Sequence, residues 1–144
     1  MDVNIYTITS AKSPKVHVAS VIYTLETQTS KGPADVTREE QVEATANEAA
    51  MLAIIKALEH IHAPCTLHIY TESRFVASGI GWMDGWKEND WKTVKGQEVK
   101  HKQLWQQLDE LLQEHEVHIH CQEEHSFRKW MQTEVERKRG KRYV

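Results

Sequence analysis

Apolar residues change their spacing several times along the chain, and those changes divide it into elements. Val3 to Thr7 is a short run of β-forming residues, and His17 to Thr24 is a second, rich in Val, Ile and Tyr. Ser30-Lys31-Gly32-Pro33 marks a turn, and Val36 to Ala44, with its alternating polar residues, predicts a third strand. Three strands in succession point to an antiparallel meander. The period then lengthens. Met51, Ile54, Ile55, Leu58 and Ile61 recur at three- and four-residue spacing, as one apolar stripe of a helix does. Thr45 caps its start, Glu48 three residues on completes a capping box, and Pro64 ends the segment.

Thr66 to Tyr70 predicts a fourth strand, and Ser73 to Ser78 a short helix closed by Gly79. A stretch carrying Trp82, Trp86 and Trp91 follows. Leu104, Leu108, Leu111 and Leu112 mark another amphipathic helix, Val117 to Cys121 a last strand, and Phe127 to Lys138 a terminal helix. The order β-β-β-α-β-α-α-β-α predicts an α/β fold, a five-stranded mixed sheet flanked by helices.

Composition narrows the class without naming a function. A chain of 144 residues, 40% hydrophobic and 27% charged, fits one globular domain. No apolar run approaches the roughly 20 residues that span a bilayer, and the N-terminus lacks the basic start and apolar stretch of a signal peptide, so no membrane partner is expected. Two cysteines make no disulfide framework, which sets the expected location in the cytoplasm. The net charge is -3, yet Arg137, Lys138, Arg139, Lys141 and Arg142 follow one another closely and no acid comes after Glu136. The body is therefore acidic and the end basic. That end reads as a solvated terminus or a nucleic-acid attachment, with residues 1–138 as one domain and 139–144 as a basic tail.

Nine histidines raise the question of a metal. His60, His62, Cys65 and His68 lie close in sequence, as do His115, His118, His120, Cys121 and His125, and His118 and His120 share one strand face. Neither group has a recognised zinc spacing.

Several motifs together resemble ribonuclease H of type I, over nearly the whole chain. The first strand of that family ends Tyr-Thr-Asp-Gly-Ser, where this chain has Tyr6-Thr7-Ile8-Thr9-Ser10. Its first helix opens Thr-x-Asn-x-x-Glu, against Thr45-Ala46-Asn47-Glu48-Ala49-Ala50 here, and its fourth strand ends Thr-Asp-Ser, against Thr71-Glu72-Ser73. Gly79-Ile80, Trp82, Gly85-Trp86-Lys87, Trp91-Lys92-Thr93, Val99-Lys100 and Leu104-Trp105-Gln106-Gln107-Leu108-Asp109 are similar to the family's handle region and the helix after it.

The resemblance implies hydrolysis of RNA paired to DNA by two Mg²⁺ or Mn²⁺ ions held between four acids. Here Ile8 and Ala50 stand at two of the four positions. Glu72 replaces an aspartate at the third. Counting from His125, which matches a histidine of the family's Gly-His-x-Gly loop, puts Val135 at the fourth, while a loop one residue different brings Glu134 into register. Glu48 is turned by about 200° from position 50 and suits the capping role. The catalytic remnants are then Glu72, Glu134 and His125, and the expected cofactor is none, or weakly bound Mg²⁺ or Mn²⁺.

The same resemblance implies nucleic-acid contacts at Ser10, Thr45 and Asn47, the latter two at a helix N-terminus where amides favour phosphate, and at Trp82, Trp86 and Lys87 in the handle. Each also has a plainer role: a loop residue, a cap, a first-turn residue, or handle packing. The acidic Glu88-Asn89-Asp90 after Lys87 thins the basic surface, so binding of an RNA–DNA hybrid or other duplex is expected to be weak and salt-sensitive. Three functions remain open: a nucleic-acid-binding domain with cleavage lost or strongly reduced, a protein–protein interaction module on the same scaffold, and an active nuclease using a rearranged set such as Glu43, Glu48, Glu72 and Glu134.

Overall fold

A computed structural model describes residues 1–140. The elements are β1 (Asp2–Thr9), β2 (His17–Thr29), β3 (Gly32–Ala44), α1 (Ala46–Leu58), β4 (Thr66–Thr71), α2 (Arg74–Glu88), α3 (Lys102–Leu112), β5 (Glu116–Cys121) and α4 (Arg128–Gly140). The predicted order holds throughout. The strands form one sheet in the order β3-β2-β1-β4-β5. β1, β2 and β3 are the antiparallel meander, while β4 and β5 run parallel to β1.

Alternation along the strands splits the sheet's side chains between two layers. Val3, Ile5, Tyr23, Leu25, Leu67 and Ile69 face the larger core, which they share with α1, α2 and α3. Tyr6 and Ile22 point to the other face, where Met131 and Val135 of α4 bury them. The ends of β1 and β4 are thus held between α1 on one side and α4 on the other. Among the described residues no helix is long and apolar enough to cross a membrane.

The start of α1 is as the sequence predicts. Thr45 Oγ1 accepts from the Glu48 amide at 3.2 Å, and Glu48 Oε1 accepts from the Thr45 amide at 2.9 Å. Those bonds satisfy two amides that a helix start leaves without partners.

Three boundaries differ from expectation, each for a physical reason. The hairpin of β2 and β3 is longer than predicted, because Gly32 and Pro33 pair with Thr29 and Gln28. β3 is an edge strand, and there a proline's missing N–H costs little. The helix from Arg74 does not stop at Gly79 but runs on to Glu88. Gly79 is a close-packing residue, since a Cβ there would lie 2.1 Å from the buried ring of Trp105. The basic end also begins inside α4: Arg137 bonds Glu134 at 2.7 Å, Lys138 bonds Glu39 at 2.5 Å and Arg139 pairs with Glu136. The remainder of the expected tail, from Lys141, lies outside the described residues.

Candidate nucleic-acid cleft

A cleft of roughly 440 Å³ opens where β1, α1, the end of β4 and α4 meet. Ile8, Ala50, Glu72 and Val135 all line it. The four positions that the resemblance assigns to metal-binding acids therefore do converge, but three of the four side chains are apolar. Of the two alternatives for α4, the cleft takes Val135, which is 3% exposed and packs on Tyr6 and Met131. Glu134 does not line the cleft; its carboxylate bonds Arg137.

Glu72 is the one acid left among the four, and it is already engaged. Arg128 Nη2 donates to Oε1 at 3.0 Å and Nε donates to Oε2 at 3.2 Å, so the guanidinium fork occupies both carboxylate oxygens. Arg128 Nη1 also donates to Glu124 at 2.5 Å. Sequence reading missed this arginine. The i,i+4 pair Glu124–Arg128 was visible, but its partner Glu72 is 56 residues away and only the fold brings it there. A second cation, Arg139, reaches the cleft mouth and donates to the carbonyls of Ser10 at 2.9 Å and Thr9 at 3.4 Å.

These donors do not fit a pair of magnesium ions, which take oxygen ligands in a near-octahedral shell. Ile8, Ala50 and Val135 offer none, and the two acids that line the cleft, Glu72 and Glu136, are each paired with an arginine, Arg128 and Arg139. Among the described residues no three His, Cys, Asp or Glu side chains are grouped to hold a metal ion, and that includes both histidine-rich stretches. The rearranged set fares no better. Glu48 is bound to the Thr45 amide, which holds its carboxyl below the ordinary carboxylate range, and Glu43 is exposed on β3.

His125 sits beside Glu72 and Arg128 in a cage of rings. It stacks on Tyr6 at 4.4 Å and meets Tyr70 at 5.2 Å, and its Nδ1 accepts from the Phe127 amide at 3.2 Å. Burial pushes its pKa down, because the cage solvates an imidazolium poorly.

The other expected contact residues are spread over two surfaces. Asn47 is exposed and lines the cleft at the first turn of α1. Thr45 is half-buried and capping. Ser10 is 5% exposed, and its hydroxyl accepts from the Ser20 amide at 2.9 Å, extending the β1–β2 pairing. In the handle, Trp86 packs on Trp105 at 5.3 Å, whereas Trp82 is 62% exposed on the outer side of α2. Lys87 is tied to Asp109 at 3.1 Å. Phe75, Trp82, Trp86 and Val99 line a second, apolar groove rimmed by Arg74 and Lys100.

Comparison with known proteins agrees with this geometry. The family model for RNase H matches residues 1–129. A ribonuclease H of Bradyrhizobium diazoefficiens is 43% identical over 83 residues, 57% of this chain and 54% of the relative. One of Rhodopseudomonas palustris is 46% identical over 83 residues, 57% of this chain and 55% of the relative. The chain spans about half the length of the curated relatives it matches. Among solved structures, a type 1 RNase H with the type 2 active-site motif superposes with a TM-score of 0.67 at 21% identity, covering 87% of this chain and 64% of that one. The PFV RNase H domain gives 0.64 at 20% identity, covering 86% and 79%. These two likenesses concern the fold alone. The family match over most of the sequence, on a sheet and cleft of this form, decides membership: the chain belongs to the RNase H family.

Proposed function

We infer that this domain binds RNA–DNA hybrid, or another nucleic-acid duplex, and that its hydrolytic activity is lost or strongly reduced. The single observation that carries this is the lining of the cleft, with Ile8, Ala50 and Val135 at three of the acid positions and Glu72 held by Arg128. In-line displacement by two metals needs anions that collect both ions beside the phosphodiester. A branched aliphatic side chain, a methyl group and a valine supply none.

Binding draws on the N-terminus of α1, where Thr45 and Asn47 lie, and on the handle around Trp82, Trp86 and Lys87. Helix amides favour a phosphate at the first site, and indole faces favour sugar or base contact at the second. Ser10 contributes through its backbone position at the end of β1. Lys87 is already paired with Asp109, and the chain carries net negative charge, which keeps the interaction weak and salt-sensitive. His125 and Glu72 persist as structural remnants of the site, and Glu134 as a half-buried residue of α4 paired with Arg137.

The test is hybrid cleavage with Mg²⁺ or Mn²⁺ beside fluorescence anisotropy with the same uncleaved duplex. Binding in the micromolar range or weaker that falls with salt, with no turnover, is the expected result. Robust turnover that Glu72→Gln abolishes defeats the reading. A protein-interaction module is the second reading, favoured by exposed Trp82 and by Trp130, which is 47% exposed. It predicts no duplex binding even at low salt.

A further inference from the structure

Arg128 and Arg139 both belong to α4, and both reach back to a strand end at the cleft. Arg128 joins Glu72, just after β4, to Glu124 in the loop before α4. Arg139 joins the Ser10 and Thr9 carbonyls, at the end of β1, to Glu136 of its own helix. β1 and β4 are adjacent and parallel. The two guanidinium groups therefore fasten α4 to neighbouring strand ends on either side of the cleft.

The charges around Arg128 are arranged as they would be around a bound cation. Glu72 and Glu124 converge on one positive group that is 18% exposed, and Glu72 itself is 30% exposed. Without the guanidinium, Glu72 would keep its half-buried charge at the cleft with no cation beside it, while Glu124, 88% exposed, would return to solvent. With it, a divalent ion approaching Glu72 must first displace a forked, permanently charged partner and then remain beside it, at a distance where like charges repel strongly. Arg139 acts differently, turning two strand-end carbonyls from solvent toward a cation of the chain itself.

We propose that Arg128 and Arg139 are built-in cations that bridge α4 to the ends of β1 and β4, so that the cleft is held together without divalent ions and disfavours their entry. This deepens the functional reading above by naming what occupies the remaining acid. It is tested separately, because its readout needs no nucleic acid.

The experiment is thermal unfolding of the full chain in EDTA and in millimolar MgCl₂ at matched ionic strength. Wild type is expected to melt at the same temperature in both. Arg128→Met should melt lower in EDTA by about 2–4 °C, the size expected from losing roughly 1 kcal/mol in a chain of this length. Mg²⁺ should recover part of that loss, since it can then sit between Glu72 and Glu124. A structural ion pair alone predicts the loss without the recovery, and that result overturns the proposal. Arg128→Lys keeps the charge and gives up the fork, so it should melt between the two, and it carries the test if Arg128→Met does not fold. Wild type stabilised by Mg²⁺ by several degrees overturns the proposal, and so does either variant melting as wild type does. Failure of the chain to bind any duplex would defeat the functional reading and leave this result standing.

Discussion

Glu72 and Arg128, 56 positions apart, meet through two hydrogen bonds of 3.0 and 3.2 Å that use both carboxylate oxygens. An acid at the end of β4 is thereby turned from a potential metal ligand into one half of an ion pair. Restoring acids elsewhere in the cleft has to work against this pair as well as against lost ligands. The double variant Ile8→Asp, Ala50→Glu is expected to bind Mn²⁺ in calorimetry more weakly than the triple variant that adds Val135→Asp. Adding Arg128→Met to the triple should tighten it further. All of these should melt lower than wild type without metal, because Ala50 and Val135 are buried and an unpaired charge there is costly. Identical, metal-indifferent titrations for wild type and the triple variant would show that the four positions do not form one site.

The capping box yields a second prediction that separates a structural role from a binding one. Thr45→Ala removes the oxygen that accepts from the Glu48 amide and should cost about 1 kcal/mol in urea unfolding. Asn47 is exposed in the first turn of the same helix and has no part in the cap. Asn47→Ala should leave the urea midpoint within experimental error while weakening duplex binding a few-fold at low salt. If the two substitutions affect stability and binding in parallel, the helix start has no separate role in contacting phosphate.

What the sequence made legible follows from the range of the interactions involved. The α1 start was readable because Thr45 and Glu48 meet across three residues, and the order of elements along the chain followed because alternating and helical periods are local. The convergence of Ile8 and Ala50 on the cleft was readable from their places in motifs. Which of Glu134 and Val135 faces the cleft was not, since a loop's length leaves the phase of the following helix open; in the fold Val135 lines the cleft and packs with Tyr6 and Met131. Arg128 was missed, and Arg139 was read only as part of the basic end, because their partners are strand-end groups distant in sequence. Gly79 misled for a related reason. A glycine late in an apolar stretch reads as a stop, and only the ring of Trp105 shows that it is a place of close approach.

That approach makes Gly79 unusually intolerant of a methyl group. In an open helix Gly→Ala gains up to about 1 kcal/mol from backbone propensity. Here the added Cβ falls 2.1 Å from a ring that is 1% exposed, so the ring can yield only by disturbing the core around it. Overpacking should win, for a net loss of about 1–3 kcal/mol in denaturant unfolding, with a shift in tryptophan emission as Trp105 is displaced. Gly81, with nothing within 4 Å of its would-be Cβ, is the control, and Gly81→Ala should stabilise. Equal effects of the two substitutions would mean that α2 and α3 do not pack as described.

His125 gives stability a dependence on pH whose sign can be worked out. Burial among Tyr6 and Tyr70 lowers its pKa in the folded chain below the ordinary value near 6.5, so between the two values the unfolded chain binds a proton that the folded chain does not. Stability from this group is complete above about pH 6.5 and declines as pH falls from there toward the folded pKa, with no further loss below it. The proton would also compete with the Phe127 amide for Nδ1. Glu72, Glu124, Glu26 and Arg128 are the charged groups that act on the ring, and the acids oppose the burial effect without cancelling it. His125→Phe keeps an aromatic ring against Tyr6 and cannot be protonated, so its urea midpoint should fall less steeply between pH 7 and pH 5 than that of wild type. The depressed carboxyls of Glu40 and Glu48 act lower, where stability is lost as pH drops below about 4.5, and both proteins should share that second decline. Parallel curves for wild type and His125→Phe from pH 7 to pH 5 would place the proton uptake on other histidines and remove His125 from the account.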